Sequence, residues 1–120
     1  MNENTKLILE SALSKIIDPV NWIQAWFAAD RYGNRVLLGS PDQCKFCALG
    51  ALYSTVGTSD QDPPCAAEAY MCLFRAAGSK SIAVINDSDG HEAVIGLYNK
   101  AIESCEADGS FIDKEANDYK

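Results

Sequence analysis

Ser40-Pro41-Asp42-Gln43-Cys44-Lys45-Phe46-Cys47-Ala48-Leu49-Gly50-Ala51-Leu52-Tyr53-Ser54-Thr55-Val56-Gly57 is the stretch on which the reading of the fold turns. Ser40 suits an N-cap, Pro41 the first helical position and Asp42 the positive end of a helix dipole, while Gln43 completes a capping box with Ser40. Together they predict a helix from Pro41 to about Val56, with Gly57 as its C-cap. Its small residues, Cys47, Gly50, Ala51 and Ser54, would let a neighbouring element come close, so this is the expected central helix.

Towards the N-terminus, Leu7, Ile8, Ala12, Leu13 and Ile16 recur at helical spacing and predict an amphipathic helix over residues 5–17, stopped by Asp18-Pro19. The apolar run Trp22-Ile23-Gln24-Ala25-Trp26-Phe27-Ala28-Ala29 is too short and uniform for periodicity to separate a strand from a buried helical turn. Asp30-Arg31-Tyr32-Gly33-Asn34 is turn chemistry, and with the extended Arg35-Val36-Leu37-Leu38 it suggests a small hairpin.

Towards the C-terminus, Pro63-Pro64 leads into a strong helix former, Cys65 to Phe74, that stops near Gly78. Ser81-Ile82-Ala83-Val84-Ile85 reads as a short buried strand and Asn86-Asp87-Ser88-Asp89-Gly90 as a turn. Asp89 and Glu92 fit a second capping box, opening a helix whose face carries Val94, Ile95, Leu97, Tyr98, Ala101 and Ile102. The expected fold class is therefore mainly α: a compact bundle of about four helices with one or two short extended segments. Residues 1–106 form a single globular helical domain, and 107–120 are expected to be an acidic, disordered tail.

The 120 residues carry a net charge of −7, and residues 61–120 hold eleven acids against five bases, so most of the excess lies in the second half. Such a balance repels phosphate backbones and excludes direct nucleic-acid binding, unless the protein imitates nucleic acid before a basic partner. No apolar run approaches the roughly 20 residues needed to span a bilayer, so no membrane contact is expected. The N-terminus lacks a basic region followed by an apolar stretch, which points to a cytoplasmic protein. Five cysteines without an export signal are expected to be reduced thiols.

Each candidate for chemistry has a plain structural reading beside it. Cys44, Cys47, Cys65 and Cys72 supply four thiols, but their spacing departs from paired zinc knuckles, and buried packing explains them better. Cys44-x-x-Cys47 lacks the βαβ setting of a redox motif. Cys47 followed by His91 has the order of papain-like and cell-wall-peptidase enzymes, in which a helix-borne thiolate is paired with a histidine. A lone histidine, however, more often caps or lies on the surface. Asn86, Asp87, Asp89 and Gly90 do not complete a calcium loop. Trp22 and Trp26, four residues apart, could share one helix face but suit core packing better. No cofactor and no metal are expected.

Trp22-x-Gln24, Ala29-Asp30, Gly33, Ser40-Pro41, Phe46-Cys47-Ala48-Leu49-Gly50-Ala51-Leu52, Asn86-Asp87 and His91-Glu92-Ala93-Val94 together resemble a family of small uncharacterised bacterial and phage proteins. That family is marked by a Cys-Ala-Leu-Gly-Ala-Leu segment and a later Asn-Asp, usually preceded by tryptophan where this chain has Ile85. The resemblance implies a bacterial or phage setting and a shared site involving Cys47, Asn86 and Asp87, but no reaction. The expected function is a small acidic, non-enzymatic interaction protein, a phage or mobile-element accessory factor or anti-defence inhibitor, that binds a basic or nucleic-acid-binding protein. Trp22, Gln24, Cys47, Asn86 and Asp87 are its candidate binding residues. The alternative is a small enzyme or ligand-binding domain with a pocket around Cys47, Asn86, Asp87 and His91, catalysis falling to Cys47, His91 and Asp87. Self-association through Trp22–Phe27 is a third expectation.

Overall fold

The computed structural model describes residues 3–57 and 63–118, with side chains over 5–56 and 67–104. It is mainly helical, with five α-helical segments where about four were expected: α1 (Glu3–Ile16), α2 (Ala48–Gly57), α3 (Pro63–Ala77), the short α4 (Ile82–Val84) and α5 (His91–Asp118). A two-residue antiparallel pair, β1 (Ala28–Ala29) and β2 (Lys45–Phe46), joins Ala28 to Phe46 and Ala29 to Lys45.

The four longer helices form the core. α1 packs on α2, α3 and α5, and α3 on α5. Ile8, Leu9, Ala12 and Ile16 meet Ala51 and Leu52, Ala69, Cys72 and Leu73, and Val94, Leu97, Tyr98 and Ala101 in one cluster. Leu7, expected on the buried face of α1, is 47% exposed, and Leu9 takes its place. The α5 face is as expected, with Ile95 and Ile102 at its half-buried margin. α3 stops before Gly78, whose φ of +70° gives the left-handed residue that ends the helix. The side chains of Cys65, Cys105 and the acidic tail lie outside the described residues, as does the surrounding of the C-cap expected at Gly57.

The expected start of the central helix is corrected. Ser40 and Gln43 do accept backbone amides, but not each other's: Asp42 N–H donates to Ser40 Oγ (3.1 Å) and Gly39 N–H to Gln43 Oε1 (2.9 Å). They close a turn instead of opening a helix, because the next residues are drawn into a sheet. Cys44 N–H donates to the Ala29 carbonyl (2.8 Å), and Ile23 N–H reaches the Phe46 carbonyl from the other side (3.1 Å). β2 thus lies between residues 22–23 and β1, and the helix starts only at Ala48. Beyond β1, Asp30–Asn34 makes the expected hairpin turn, with Gly33 at φ +89° and Val36 N–H on the Ala28 carbonyl (3.1 Å).

Residues 22–29 are accordingly neither a strand throughout nor a helix. After a turn at Pro19–Asn21, capped by Asp18, the chain pairs with one side of β2, arches over the start of α2 through residues 24–27, and returns on the other side as β1. Trp22 and Trp26 therefore share no helix face. The expected strand at 81–85 is also corrected: Ser81 Oγ caps α4 by accepting the Val84 N–H, and α4 runs directly into a π-helical turn over Ile85–Asp89. The cap of α5 is Gly90, whose carbonyl accepts Val94 N–H, and not Asp89, whose carboxylate is taken by Lys80 at 2.8 Å.

Gly50 is where the arch and α2 touch. A Cβ there would stand 1.9 Å from the Phe27 carbonyl oxygen, a backbone atom that cannot step aside. Glycine-to-alanine changes inside helices usually stabilise by about 0.5–1 kcal/mol. Gly96→Ala on α5, where no atom lies within 4 Å, is expected to follow that rule. Gly50→Ala is expected to reverse it and to destabilise by about 3 kcal/mol or more through overpacking; urea unfolding of the two variants checks both signs.

Candidate functional site

Asn86 is the second residue of the π turn and only 2% exposed, so its amide needs partners on every side. It finds four. Its Oδ1 accepts the Trp22 indole N–H at 2.7 Å and the Ala48 backbone N–H at 2.9 Å. Its Nδ2 donates to the Ile23 carbonyl at 3.1 Å and to Asp87 Oδ1 at 3.0 Å. Two acceptances and two donations use the capacity of a side-chain amide in full. The bond to Ala48 satisfies the first orphan N–H of α2, a task usually left to the residue before the helix.

Cys47 occupies that preceding position and caps the next amides itself. Its Sγ accepts the Gly50 N–H at 3.2 Å, as a serine hydroxyl would, and its carbonyl accepts Ala51 N–H at 2.9 Å. Burial pushes the thiol's pKa up, with a further push from the Asp87 carboxylate, and helix amides offset only part of this. The thiol is thus held protonated at neutral pH. Tyr98 completes the collar by donating from α5 to the Ala48 carbonyl at 2.7 Å, and its burial raises its own pKa far above the usual range.

Asp87 faces the arch. Its Oδ1 accepts the Ala25 N–H at 2.9 Å as well as the Asn86 amide. Ala25 has φ +76°, the left-handed region that a residue with a Cβ rarely enters, at a cost of about 1–3 kcal/mol. The Gln24 amide donates to the carbonyls of Asp87 (2.9 Å) and Asn86 (3.3 Å), closing the end of the π turn. Asp87 Oδ2 receives no bond among the described residues.

Of the binding residues expected from the sequence, Trp22, Gln24, Asn86 and Asp87 join in one network that ties the arch to the π turn, and Cys47 lies beside it at the start of α2. His91 is not brought to Cys47. Its Nε2 lies 2.7 Å from the Ile16 carbonyl, which can only accept, so that nitrogen carries the proton and caps the end of α1. Its ring meets Trp22 edge-on at 5.4 Å. Cys44 is exposed and Cys72 lies in the core; no group of three or more metal-ligating side chains occurs among the described residues.

A cleft of about 520 Å3 opens beside this network, with Cys47, Asn86 and Asp87 among its lining. Phe27, Val36, Leu37, Leu38, Leu49 and Ile82 give it an apolar wall, and Arg35 stands on its margin over the Trp26 ring, 5.4 Å from the centroid. Arg35 and the 36–38 wall were not among the candidate residues. The signal for them was the Asp30–Asn34 turn, which folds 35–38 back beside the arch, but nothing in residues 35–38 alone marks a site.

Residues 1–104 match DUF6197, a family of unknown function. The chain belongs to that family. Comparisons with curated proteins and with solved structures gave no match. Membership therefore brings no activity to the site, and its chemistry rests on the geometry above. No helix among the described residues is long and apolar enough to cross a membrane.

Removing the Asn86 amide should cost more than its size suggests. Asn86→Ala strands the Ala48 N–H and the Ile23 carbonyl and frees the Trp22 indole, an expected loss of about 3 kcal/mol in urea unfolding. Asn86→Asp keeps the acceptor but places a carboxylate in a buried site beside Asp87, which raises its folded-state pKa above the unfolded value. That variant should be least impaired at low pH and lose stability as pH rises through the folded pKa, a trend absent in Asn86→Ala.

Proposed function

We propose that the protein is a non-enzymatic binding protein whose partner site is the cleft between the 24–27 arch, residues 35–38 and the π turn. The observation that carries this reading is how the reactive groups are used. The Cys47 sulfur caps α2 as a neutral thiol and every polar group of the Asn86 amide is occupied, while the adjoining wall stays open, with Trp26 41%, Phe27 51% and Leu37 76% exposed. Apolar surface gathered around a concavity with a few fixed polar groups is the usual form of a ligand or partner site.

A net charge of −7 favours a basic partner, since complementary charge speeds encounter and excludes acidic competitors. The finer reading is a cytoplasmic accessory factor of bacterial or phage origin, with an anti-defence inhibitor of a nucleic-acid-binding protein as one instance. A small-molecule ligand in the same cleft is the second reading, favoured by its volume of about 520 Å3, within the roughly 300–1,000 Å3 of such sites. An enzymatic form would need a thiolate at Cys47 with a base beside it, and His91 is engaged at the end of α1.

Two measurements test this. Treated briefly with iodoacetamide at pH 7.5, the folded protein should be alkylated at exposed Cys44 and spared at Cys47 until denatured, as read by peptide mass spectrometry. Modification of Cys47 as fast as Cys44 would move the case to thiol chemistry. In pull-downs from its own cells, the chain should retain a basic protein at low salt and release it at high salt. Leu37→Asp, a surface change at the cleft margin, should abolish retention; retention unaltered by that change places the partner elsewhere.

A further inference from the structure

We infer that the cleft's occupant is the C-terminal segment of a basic partner, with its terminal carboxylate on Arg35, a lysine or arginine side chain on Asp87, and an apolar side chain against the wall between them. This rests on the reading of the cleft as a binding site and goes on to name what it selects. Arg35 and Asp87 are the two charged side chains that line the cleft, they carry opposite signs, and among the described residues neither is in an ion pair. Each is held by something other than its opposite. The Arg35 guanidinium lies over the Trp26 ring, 5.4 Å from its centroid, a cation–π contact that leaves its N–H groups to donate to a carboxylate. Asp87 is fixed through Oδ1 by Ala25 and Asn86, which leaves Oδ2 to accept from a cation.

An occupant seated on the apolar wall lies beside both charges and displaces part of their water. A neutral occupant leaves two uncompensated charges, and one with a single charge leaves one, each at a cost in affinity. Only a segment carrying both signs, with apolar substance between them, matches the whole lining. In a basic partner drawn to a chain of net charge −7, acidic side chains are scarce, so the carboxylate that every chain possesses is the one at its end.

The test uses the full chain, 15N-labelled, titrated with N-acetyl-lysyl-leucyl-phenylalanine bearing a free carboxylate, with its C-terminal amide, and with the peptide in which glutamine replaces lysine. The free-carboxylate peptide should shift the amide resonances of residues 25–27, 35–38 and 86–87. Amidation and the lysine-to-glutamine change should each weaken binding about tenfold, the usual worth of a charged hydrogen bond. Arg35→Gln should erase the difference made by amidation, and Asp87→Asn, which keeps an acceptor for Ala25, the difference made by glutamine. Equal binding of all three peptides, or no shift at the cleft with any, overturns the inference. The broader reading fails separately, when Leu37→Asp leaves partner retention unaltered; retention lost with Leu37→Asp but kept in both Arg35→Gln and Asp87→Asn preserves the cleft and overturns the charge pairing.

Discussion

A buried amide with four bonds holds the arch, the start of α2 and the π turn together. Left unpaired in an apolar setting, such a group would cost several kcal/mol, roughly the contribution of two or three buried aliphatic side chains. Paired on all sides, Asn86 instead locks segments 38 to 64 residues away, the indole of Trp22, the carbonyl of Ile23 and the first amide of α2, and bonds its own neighbour Asp87 as well. The π turn makes this possible. A regular helix continuing from α4 would close its backbone on i to i+4 bonds, whereas the wider turn at Ile85–Asp89 presents Asn86 to the start of α2 and Asp87 to the arch.

From that constraint the neighbouring irregularities follow. The arch has to cross from one side of β2 to the other in four residues, and it does so directly over the first turn of α2. The crossing is tight enough that the Phe27 carbonyl needs a glycine beneath it at position 50, and tight enough to drive Ala25 to positive φ. Neither feature is supported by local sequence preference. The arch is held to the π turn from both sides, by Asp87 Oδ1 accepting the Ala25 amide and by the Gln24 side chain donating to the turn's carbonyls.

The helices of the core were legible because their burial is periodic and their stops are local. Ile8, Ala12 and Ile16 on α1, Val94, Leu97 and Tyr98 on α5, and Gly78 after α3 can be read one segment at a time. The errors share a physical cause. Ser40 to Gln43 has the chemistry of a helix start and makes its bonds within a turn, since Phe46 gains partners on both edges by staying extended. Ile82 to Ile85 looks like a buried strand because four apolar residues in a row hide the helical spacing, in which Ile82 and Ile85 are buried while Ala83 and Val84 are exposed. At the site, the grouping of Trp22, Gln24, Cys47, Asn86 and Asp87 came from the family resemblance and not from the spacing of the residues. Arg35 and Leu37 were not legible, because they reach the cleft only through the hairpin, and the partner of His91, the Ile16 carbonyl, is a backbone atom that no side-chain pattern announces.

The same carboxylate belongs to the structure and to the cleft. Asp87 Oδ1 supports the strained backbone at Ala25, and Oδ2 is open beside the apolar wall. The two oxygens share one negative charge, so a cation that approaches Oδ2 draws electron density from Oδ1 and weakens its hold on the Ala25 amide. A neutral group in the same place leaves that hold as it was. Ala25 and Phe27 are themselves part of the lining, and Phe27 rests against Gly50 and against the Tyr53 ring at 5.7 Å. Asp87 is thereby joined, through one peptide segment, to the packing of the arch on α2. One side chain thus both supports the strained arch and lines the cleft beside it.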